Sequence, residues 1–555
     1  MVRNAVQRVT QYLAELLQPT PQLLEEYARQ TPEKRQKLFS ALGVIAVCVL
    51  GSLYGYFFAV LPPAFLLLLI APIAVMGLIV IWILPVQKKA PTGTMVKLFF
   101  GFFVVFLIWP EYLAVQLPGL PWISLRRMFL LPMCLALLIA VSTSKGFRRQ
   151  MREYLAPLPL FWKFLVGFVI VQCVSVPMAD SIPEAVKDLI NYQTTWTAVF
   201  FVSLYAFQKY DRIDLFFKIF TAGAILLGGL ALLEYQNQRV LWATTVPSFL
   251  QVDLTTMKGT LAAEFRNGLY RAKVVHAQPL PFAEIMALST PILLYWMTRT
   301  KSIFRLSLLV VADIFLLIVL TLPQSRLGMV GWLAAHALFL LLLSGRLWMR
   351  NRVSVVGPAF TLAYPVMIIA LLAAVSSVDS LRTRFIGGQD TIYSDQAREV
   401  QWKRSVRVIA KSPLFGYGPR NGPAALGYRG GPGDGIITLD NYLIWIALDY
   451  GITGFVLYYG MILMIIYKLL QLTMKNSRKL NDQALTILVM LSCYLLIKTV
   501  LSQENNHALV FIAMGIAMAL FRRDAIEEKN EAHPPAPAAR ARRKVAAPTR
   551  ELEPA

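Results

Sequence analysis

Between Ser394 and Lys411 the basic residues are Arg398, Lys403, Arg404, Arg407 and Lys411, and three of them, Lys403, Arg407 and Lys411, recur every four residues. On a helix that spacing stacks the three charges on one face, while Val400, Trp402, Val406 and Ile409 supply a loose apolar side. A basic amphipathic helix of this kind rests on a membrane, where it either holds a phosphate or contacts anionic headgroups. Arg271 and Arg326 stand at the mouths of apolar runs, as Arg398 does in its loop. A guanidinium is permanently charged and grips phosphate oxygens in a two-pronged fork; the plainer alternative is that these side chains only snorkel to the interface. Asp440, just before the run that opens at Tyr442, suits a general base and equally a helix N-cap. His276 is a second candidate base or a structural interfacial histidine.

The elements that must carry these residues are set by composition. The 555 residues are 57% hydrophobic and 15% charged, too apolar for soluble domains of this length. The apolar runs are continuous, not alternating, and backbone groups in lipid must be satisfied internally, so helices are expected instead of barrel strands. Runs able to cross a bilayer fall at Leu38 to Val60, Ala64 to Leu84, Leu98 to Val115, Met128 to Val141, Leu160 to Val176, Thr194 to Phe207 and Leu215 to Leu233. A second set falls at Phe282 to Met297, Phe304 to Leu322, Leu327 to Leu343, Val355 to Val375, Tyr442 to Ile466, Leu485 to Leu501 and Ala508 to Phe521. The expected fold is an all-α polytopic membrane protein of about fourteen transmembrane helices with two long extracytoplasmic loops.

Basic clusters at Lys88 and Lys89, Arg148 to Arg152, Lys209 and Arg212, Arg299 to Arg305, Arg346 to Arg352 and Lys475 to Lys479 occupy every second connection. By the positive-inside rule those loops and both termini are cytoplasmic, with Arg126 and Arg127 as exceptions on the outer side. The net charge of +23 follows from these loops, and nucleic acid is not an expected partner. The chain then divides into an N-terminal amphipathic segment at 1–37, membrane helices at 38–233, a first outer loop at 234–281 and central membrane helices at 282–375. A large outer loop with the basic helix at 376–441, C-terminal membrane helices at 442–521 and a disordered basic cytoplasmic tail at 522–555 complete it. Within the first segment Val6, Val9, Leu13, Leu16 and Leu17 recur at helical spacing, and no cleavable leader is expected. Cys48, Cys134, Cys173 and Cys493 read as small core residues, and the scattered histidines His276, His336, His507 and His533 make no metal cluster.

The basic helix ends at Lys411-Ser412-Pro413-Leu414-Phe415-Gly416-Tyr417-Gly418-Pro419, where proline stops it and two glycines permit a tight turn. Asp440-Asn441-Tyr442-Leu443 and then Gly451-Ile452-Thr453-Gly454 follow. Arg398, Trp402, this Pro-Leu-Phe-Gly-Tyr-Gly stretch, Asn441-Tyr442-Leu443 and the Gly-Ile-Thr-Gly stretch, in that order, resemble the signature of the O-antigen ligase and polysaccharide polymerase superfamily. Upstream, Arg271, the stretch His276 to Leu288 and Ser325-Arg326-Leu327-Gly328 extend the resemblance in order. The chain departs from it where many members have His-Asn-x-x-Leu: Asp440 takes the histidine position and Ile444 the leucine.

The resemblance implies transfer of a glycan from a polyprenyl-diphosphate-linked oligosaccharide to a glycan acceptor at the outer face of a bacterial inner membrane. No metal, nucleotide sugar or cofactor is implied. Arg326, Arg271, Asp440 and His276 are then the catalytic candidates, and Arg398, Lys403, Arg404 and Arg407 bind the diphosphate. The expected partners are the lipid-linked donor, the acceptor, membrane lipids and other polysaccharide-export proteins. The leading reading is a polymerase of exopolysaccharide or O-antigen repeat units. A ligase that moves the finished glycan to lipid A core or protein differs only in acceptor. A lipid-linked sugar transporter is the alternative from another class; it would carry charge inside its spans, whereas here the unusual residues gather at one face.

Overall fold

The computed structural model describes residues 90–115, 123–247, 249–252, 260–266, 268–350, 355–377, 389–427, 439–475 and 479–532, with a few isolated residues before 90. The chain forms two compact units, Met1–Ile79 and Val80–Ala555, and everything below belongs to the second. The amphipathic segment at 1–37, nearly all of the first two expected spans, Cys48 and His533 lie outside the described residues.

The described chain is helical, with two minor sheets, one of three strands and one of two. Helix α1 (Thr92–Ile108) ends at Trp109, whose extended backbone leads into Pro110, and strand β1 (Leu113–Val115) follows. The expected span Leu98 to Val115 is therefore displaced toward the N-terminus, because proline cannot continue a helix. Antiparallel to β1 run β2 (Ile123–Ser124) on one side and β3 (Gln251–Val252) on the other. Helix α2 (Leu125–Thr143) is capped by the Ser124 hydroxyl, which accepts from the Arg127 N–H at 3.3 Å. Then come α3 (Lys145–Leu155) and α4 (Pro159–Ser175), the latter opened by proline at a position where no N–H is needed.

Helix α5 (Ile182–Tyr192) passes through a π-helical segment, Gln193–Ala198, into α6 (Val199–Ala206). The expected span at Thr194 to Phe207 is short because its first turns carry Asp188, Asn191 and Gln193, which hydropathy counts as loop. Next are α7 (Asp211–Asn237), the hairpin of β4 (Phe265–Arg266) and β5 (Leu269–Tyr270), α8 (Pro279–Arg299), α9 (Ile303–Thr321), α10 (Arg326–Arg350) and α11 (Val356–Ser377). The basic amphipathic helix is α12 (Gln389–Ile409), one turn upstream of its expected start. A single turn, α13 (Gly422–Ala425), precedes α14 (Tyr442–Met474), α15 (Lys479–Lys498) and α16 (His507–Ala532). The last helix continues past Phe521 through Ala532, so the start of the tail expected to be disordered is helical.

Eight of the described helices are long and apolar enough to cross a membrane. The chain is a multi-pass membrane protein. Burial is uneven: 83% of the most apolar stretch of α8 and 78% of that of α15 are buried, against 22% for α9. Polar contacts gather at the two ends of the bundle. At one end Arg346 pairs with Asp482 at 2.7 Å, Lys475 pairs with Asp524 and Glu528, and the Tyr295 hydroxyl donates to Asp214 at 2.7 Å. At the other end lie the starts of α8, α10, α14 and α16, and with them the residues of interest.

The spans are not free of charge. In α9 and α10, Asp313 accepts from the Trp332 indole at 3.1 Å and lies 3.0 Å from His336 Nε2. Lys498 Nζ lies 3.0 Å from Glu284 Oε1 with both side chains fully buried. Each of these four groups has a partner, as the low dielectric of such positions demands. Cys134 and Cys493 are buried, while Cys173 is exposed on α4.

Candidate functional site

The Pro413 to Gly418 loop and the Gly451 stretch, far apart in the chain, meet. Gly451 has φ 68° and ψ −175°, a backbone state essentially reserved for glycine, and it breaks α14. Into the break fits the loop. Ile452 N–H donates to the Pro413 carbonyl at 2.7 Å, Tyr417 N–H to that of Leu448 at 2.8 Å, and Gly418 N–H to that of Asp449 at 3.0 Å. The approach is close enough that a Cβ on Gly416 would stand 2.3 Å from the Leu448 oxygen. From α4, the Ser175 hydroxyl donates to the Phe415 carbonyl at 2.9 Å, and the Tyr417 hydroxyl reaches back to Val408 of α12 at 2.9 Å. The loop thereby fixes the end of α12 against α14. Val408 and Ile409 pack there on Leu426, Leu439, Ile444 and Leu448.

This docking buries Gln401 and Ser405 of α12 and turns Arg398 toward the start of α14. The Arg398 Nε then lies 3.2 Å from Asp440 Oδ2, each side chain 33% exposed. Asp440 is not the helix cap. The Asn441 side chain caps α14, accepting from Leu443 N–H at 2.8 Å and Ile444 N–H at 3.3 Å, so the Asp440 carboxylate faces the guanidinium. Burial raises the Asp440 carboxyl above the usual aspartate range, and the Arg398 charge offsets only part of this.

Both residues line a cavity of about 320 Å³, with Arg266, Ser325, Arg326 and Thr499 among its other walls. Arg326, Arg398 and Asp440 thus converge from three separate segments, the start of α10, the middle of α12 and the lead-in to α14. Arg266, on the β4 hairpin, adds a third guanidinium. No motif marks it in the sequence. Leu280, Leu327, Val330, Leu496 and Ile497 make the rest of the wall apolar, so charge in this pocket is poorly screened.

The other candidates lie elsewhere. Arg271 does not line the cavity: its Nε donates to the Pro323 carbonyl at 3.0 Å and its Nη1 pairs with Glu264. Since Ala272 N–H also donates to Leu322 O at 3.1 Å, this strap secures the turn that delivers Ser325 and Arg326. Lys403 pairs with Glu399 at 2.7 Å on the exposed side of α12, and Arg404 and Arg407 are exposed as well. The four-residue spacing that stacks Lys403 and Arg407 carries them away from the face that holds Gln401 and Ser405. None of the three lines the cavity.

His276 is fully buried, and neither ring nitrogen has a hydrogen-bond partner. No solvent or substrate reaches it to exchange a proton. Burial lowers its pKa to about 4, with Glu111 opposing and Arg126 assisting. The neutral imidazole is thus favoured by the fold. As pH falls from about 6.5 toward about 4 the unfolded chain takes up a proton that the folded chain refuses, and stability drops by on the order of 3 kcal/mol. Thermal melts in detergent between pH 7 and pH 4 will therefore slope downward, and His276→Phe will flatten part of that slope.

The same corner holds Arg126, one of the two exceptions to the charge pattern of the loops. Arg126 lies 3.2 Å from Glu111 and donates to the Phe106 carbonyl at 2.9 Å, closing the end of α1. Burial alone would raise the Glu111 carboxyl, but Arg126, His276, Asn505 and the Ala277 N–H hold it below the usual range.

The O-Antigen ligase family model matches residues 311–459. That segment holds α10, α12, the docking loop and the first part of α14 with its break at Gly451, and hence Arg326, Arg398 and Asp440. No curated protein matches the chain. Residues 311–459 are thus similar to the O-antigen ligase family, in keeping with the resemblance that the motifs of the sequence carry to the O-antigen ligase and polysaccharide polymerase superfamily.

Proposed function

We propose that the chain joins polyprenyl-diphosphate-linked oligosaccharide repeat units into an exopolysaccharide or O-antigen chain at the outer face of the bacterial inner membrane, with both termini cytoplasmic. The observation that carries this reading is the cavity in which Arg266, Arg326 and Arg398 face Asp440. Three guanidiniums at a membrane interface suit a diphosphate, and they stabilise it most when the glycosidic bond breaks and its electron pair moves onto the leaving phosphate oxygen. The acceptor hydroxyl forms the new bond at the anomeric carbon and gives its proton to Asp440. Arg398 links the two halves of the reaction: once it turns to the diphosphate, its pairing with Asp440 loosens and the carboxylate is released to act as base. Charge stabilisation by arginine leaves no step that requires a metal or nucleotide. Lys403, Arg404 and Arg407 are better suited to anionic headgroups around the site than to the diphosphate itself.

The raised Asp440 carboxyl gives a pH test. A base acts only when ionised, so the acid limb of the rate profile should fall at a higher pH than an ordinary aspartate would give. Asp440→Asn should lower the rate by roughly 10²–10⁴-fold and remove that limb. An unchanged limb in the variant would assign it to another group.

The direct experiment is reconstitution with the lipid-diphosphate-linked repeat unit and a chelator, with products followed by gel. Growing lipid-linked chains support the polymerase. Product only when lipid A core or a protein acceptor is added would make the chain a ligase, and movement of intact substrate across the bilayer would make it a transporter.

A further inference from the structure

Helix α12 has two faces, and the cavity uses one of them. Gln401 and Ser405 are buried on that face, and Arg398 reaches Asp440 from it. Outside it, Val400, Trp402 and Val406 are each more than half exposed. Trp402 and Val406 stand one turn apart, and Lys403 and Arg407, each one residue further on, form a basic stripe beside them. Arg404 is exposed as well, and Lys411, also exposed, follows just past the helix end. Glu399 is the one acidic residue from Gln396 to Lys411, and its pair with Lys403 is open to solvent on both sides, so the exposed face stays strongly cationic.

The level of this face in the bundle is set by what α12 packs on. Val408 and Ile409 lie against a cluster that includes Ile444 and Leu448 of α14, and the loop after them enters the break at Gly451, the tenth residue of that 33-residue helix. A helix of such length runs about 50 Å against about 30 Å of hydrocarbon, so its end turns stand among lipid headgroups. Leu414, more than half exposed, is laid against the Gly451–Ile452 backbone, where Ile452 N–H donates to the Pro413 carbonyl at 2.7 Å. Ile452, Val456 and Leu463 continue from there as an exposed apolar stripe down one side of α14. An indole and aliphatic stripe beside lysine and arginine, at the level where a span leaves the hydrocarbon, suits headgroups and their phosphates. A second copy docked through the same face would set one basic stripe against the other.

We propose that the exposed face of α12 docks on an anionic lipid surface, and that this contact holds the helix, with Arg398 on its other side, over the cavity. The bilayer charge then sets how firmly Arg398 is presented to Asp440 and so tunes transfer. The tuning depends on the reading of the cavity as the transfer site; the docking does not.

The test uses the full chain with its native cysteines replaced by alanine and a nitroxide attached at Val406→Cys, Leu463→Cys or Asn530→Cys. The second position reports lipid on the side of α14, and the third reports water on the exposed end of α16. In nanodiscs of phosphatidylcholine with phosphatidylglycerol, the label at 406 is expected to show collisions with oxygen and with a water-soluble nickel complex intermediate between the other two. Omitting phosphatidylglycerol, or changing Lys403, Arg407 and Lys411 together to Gln, should raise its nickel collisions roughly threefold or more. A label at 406 as accessible to water as that at 530 in the anionic nanodisc refutes the docking. Equal protection with and without phosphatidylglycerol leaves an apolar contact and overturns the role of charge, and spin–spin coupling between labels would give the face to a second copy. In proteoliposomes supplied with the lipid-linked repeat unit, phosphatidylglycerol should raise the transfer rate of the native chain roughly threefold or more and leave that of the triple variant unchanged. A rate indifferent to lipid charge while the label at 406 is docked overturns the tuning. Absence of product in every lipid, again with the label docked, counts against the transfer reading and upholds the docking.

Discussion

Arg326→Ala is expected to reduce glycan transfer by roughly 10²–10³-fold, the loss typical when one preorganised donor to a developing anion is removed. The residue sits at the first position of α10, on a wall of the cavity, and the Arg271 strap holds the preceding turn from behind. On the proposed reading a cation so placed is already oriented when charge develops on the leaving diphosphate, and it acts without rearrangement. Arg326→Lys keeps the charge but loses the fork and should recover only part of the rate. Lys403→Ala, on the exposed side of α12, should cost little by comparison. The comparison is made on lipid-linked product formed per unit of folded protein; less than a threefold loss for Arg326→Ala would sink the donor reading of the cavity.

The second large effect is on folding. At Gly451 a Cβ would meet the Leu414 carbonyl carbon at 2.5 Å and would also have to adopt φ 68°. Backbone strain of this kind costs about 1–3 kcal/mol before any clash is counted, and the atoms in the way are backbone, which cannot swing aside. Gly451→Ala is therefore expected to lower the melting transition in detergent by more than ordinary point changes do and to expose the Pro413 to Gly418 loop to protease. Gly345→Ala is the control, since nothing lies within 4 Å of its position and a helical alanine is favoured there. If the two variants melt alike, the loop is not keyed into the break.

Local pattern explains what could be read from the chain alone. The basic helix, with Arg398 in it, was legible because charge spacing is a helix-period signal, and Arg326 and Asp440 because each stands at a span boundary that marks its segment. The side on which a helix docks is not local, so Lys403 and Arg407 could be placed on a helix but not relative to a cavity wall. Asp440 and Asn441 compete for the same cap, and only the geometry shows that Asn441 takes it. Arg266 has no sequence signal at all. Glu284 and Lys498 had one: each stands inside a span, where an ionisable residue is a functional or structural pair by default. Their partners lie more than two hundred positions apart in the chain, as do Tyr192 and Glu504, and no spacing rule reaches across that separation.

The uneven burial of α8 and α9 bears on how this chain can change over generations. At the lipid-facing surface of α9 almost any oily side chain does the same job, and substitutions there are close to neutral. Along α8 each residue fills a shaped gap between neighbours, and a replacement must arrive with a compensating one. Neighbouring helices of similar hydrophobicity will therefore drift at very different rates. Codon randomisation followed by selection for the proposed glycan transfer should recover near-random apolar sequences in α9 and little but the starting sequence in α8.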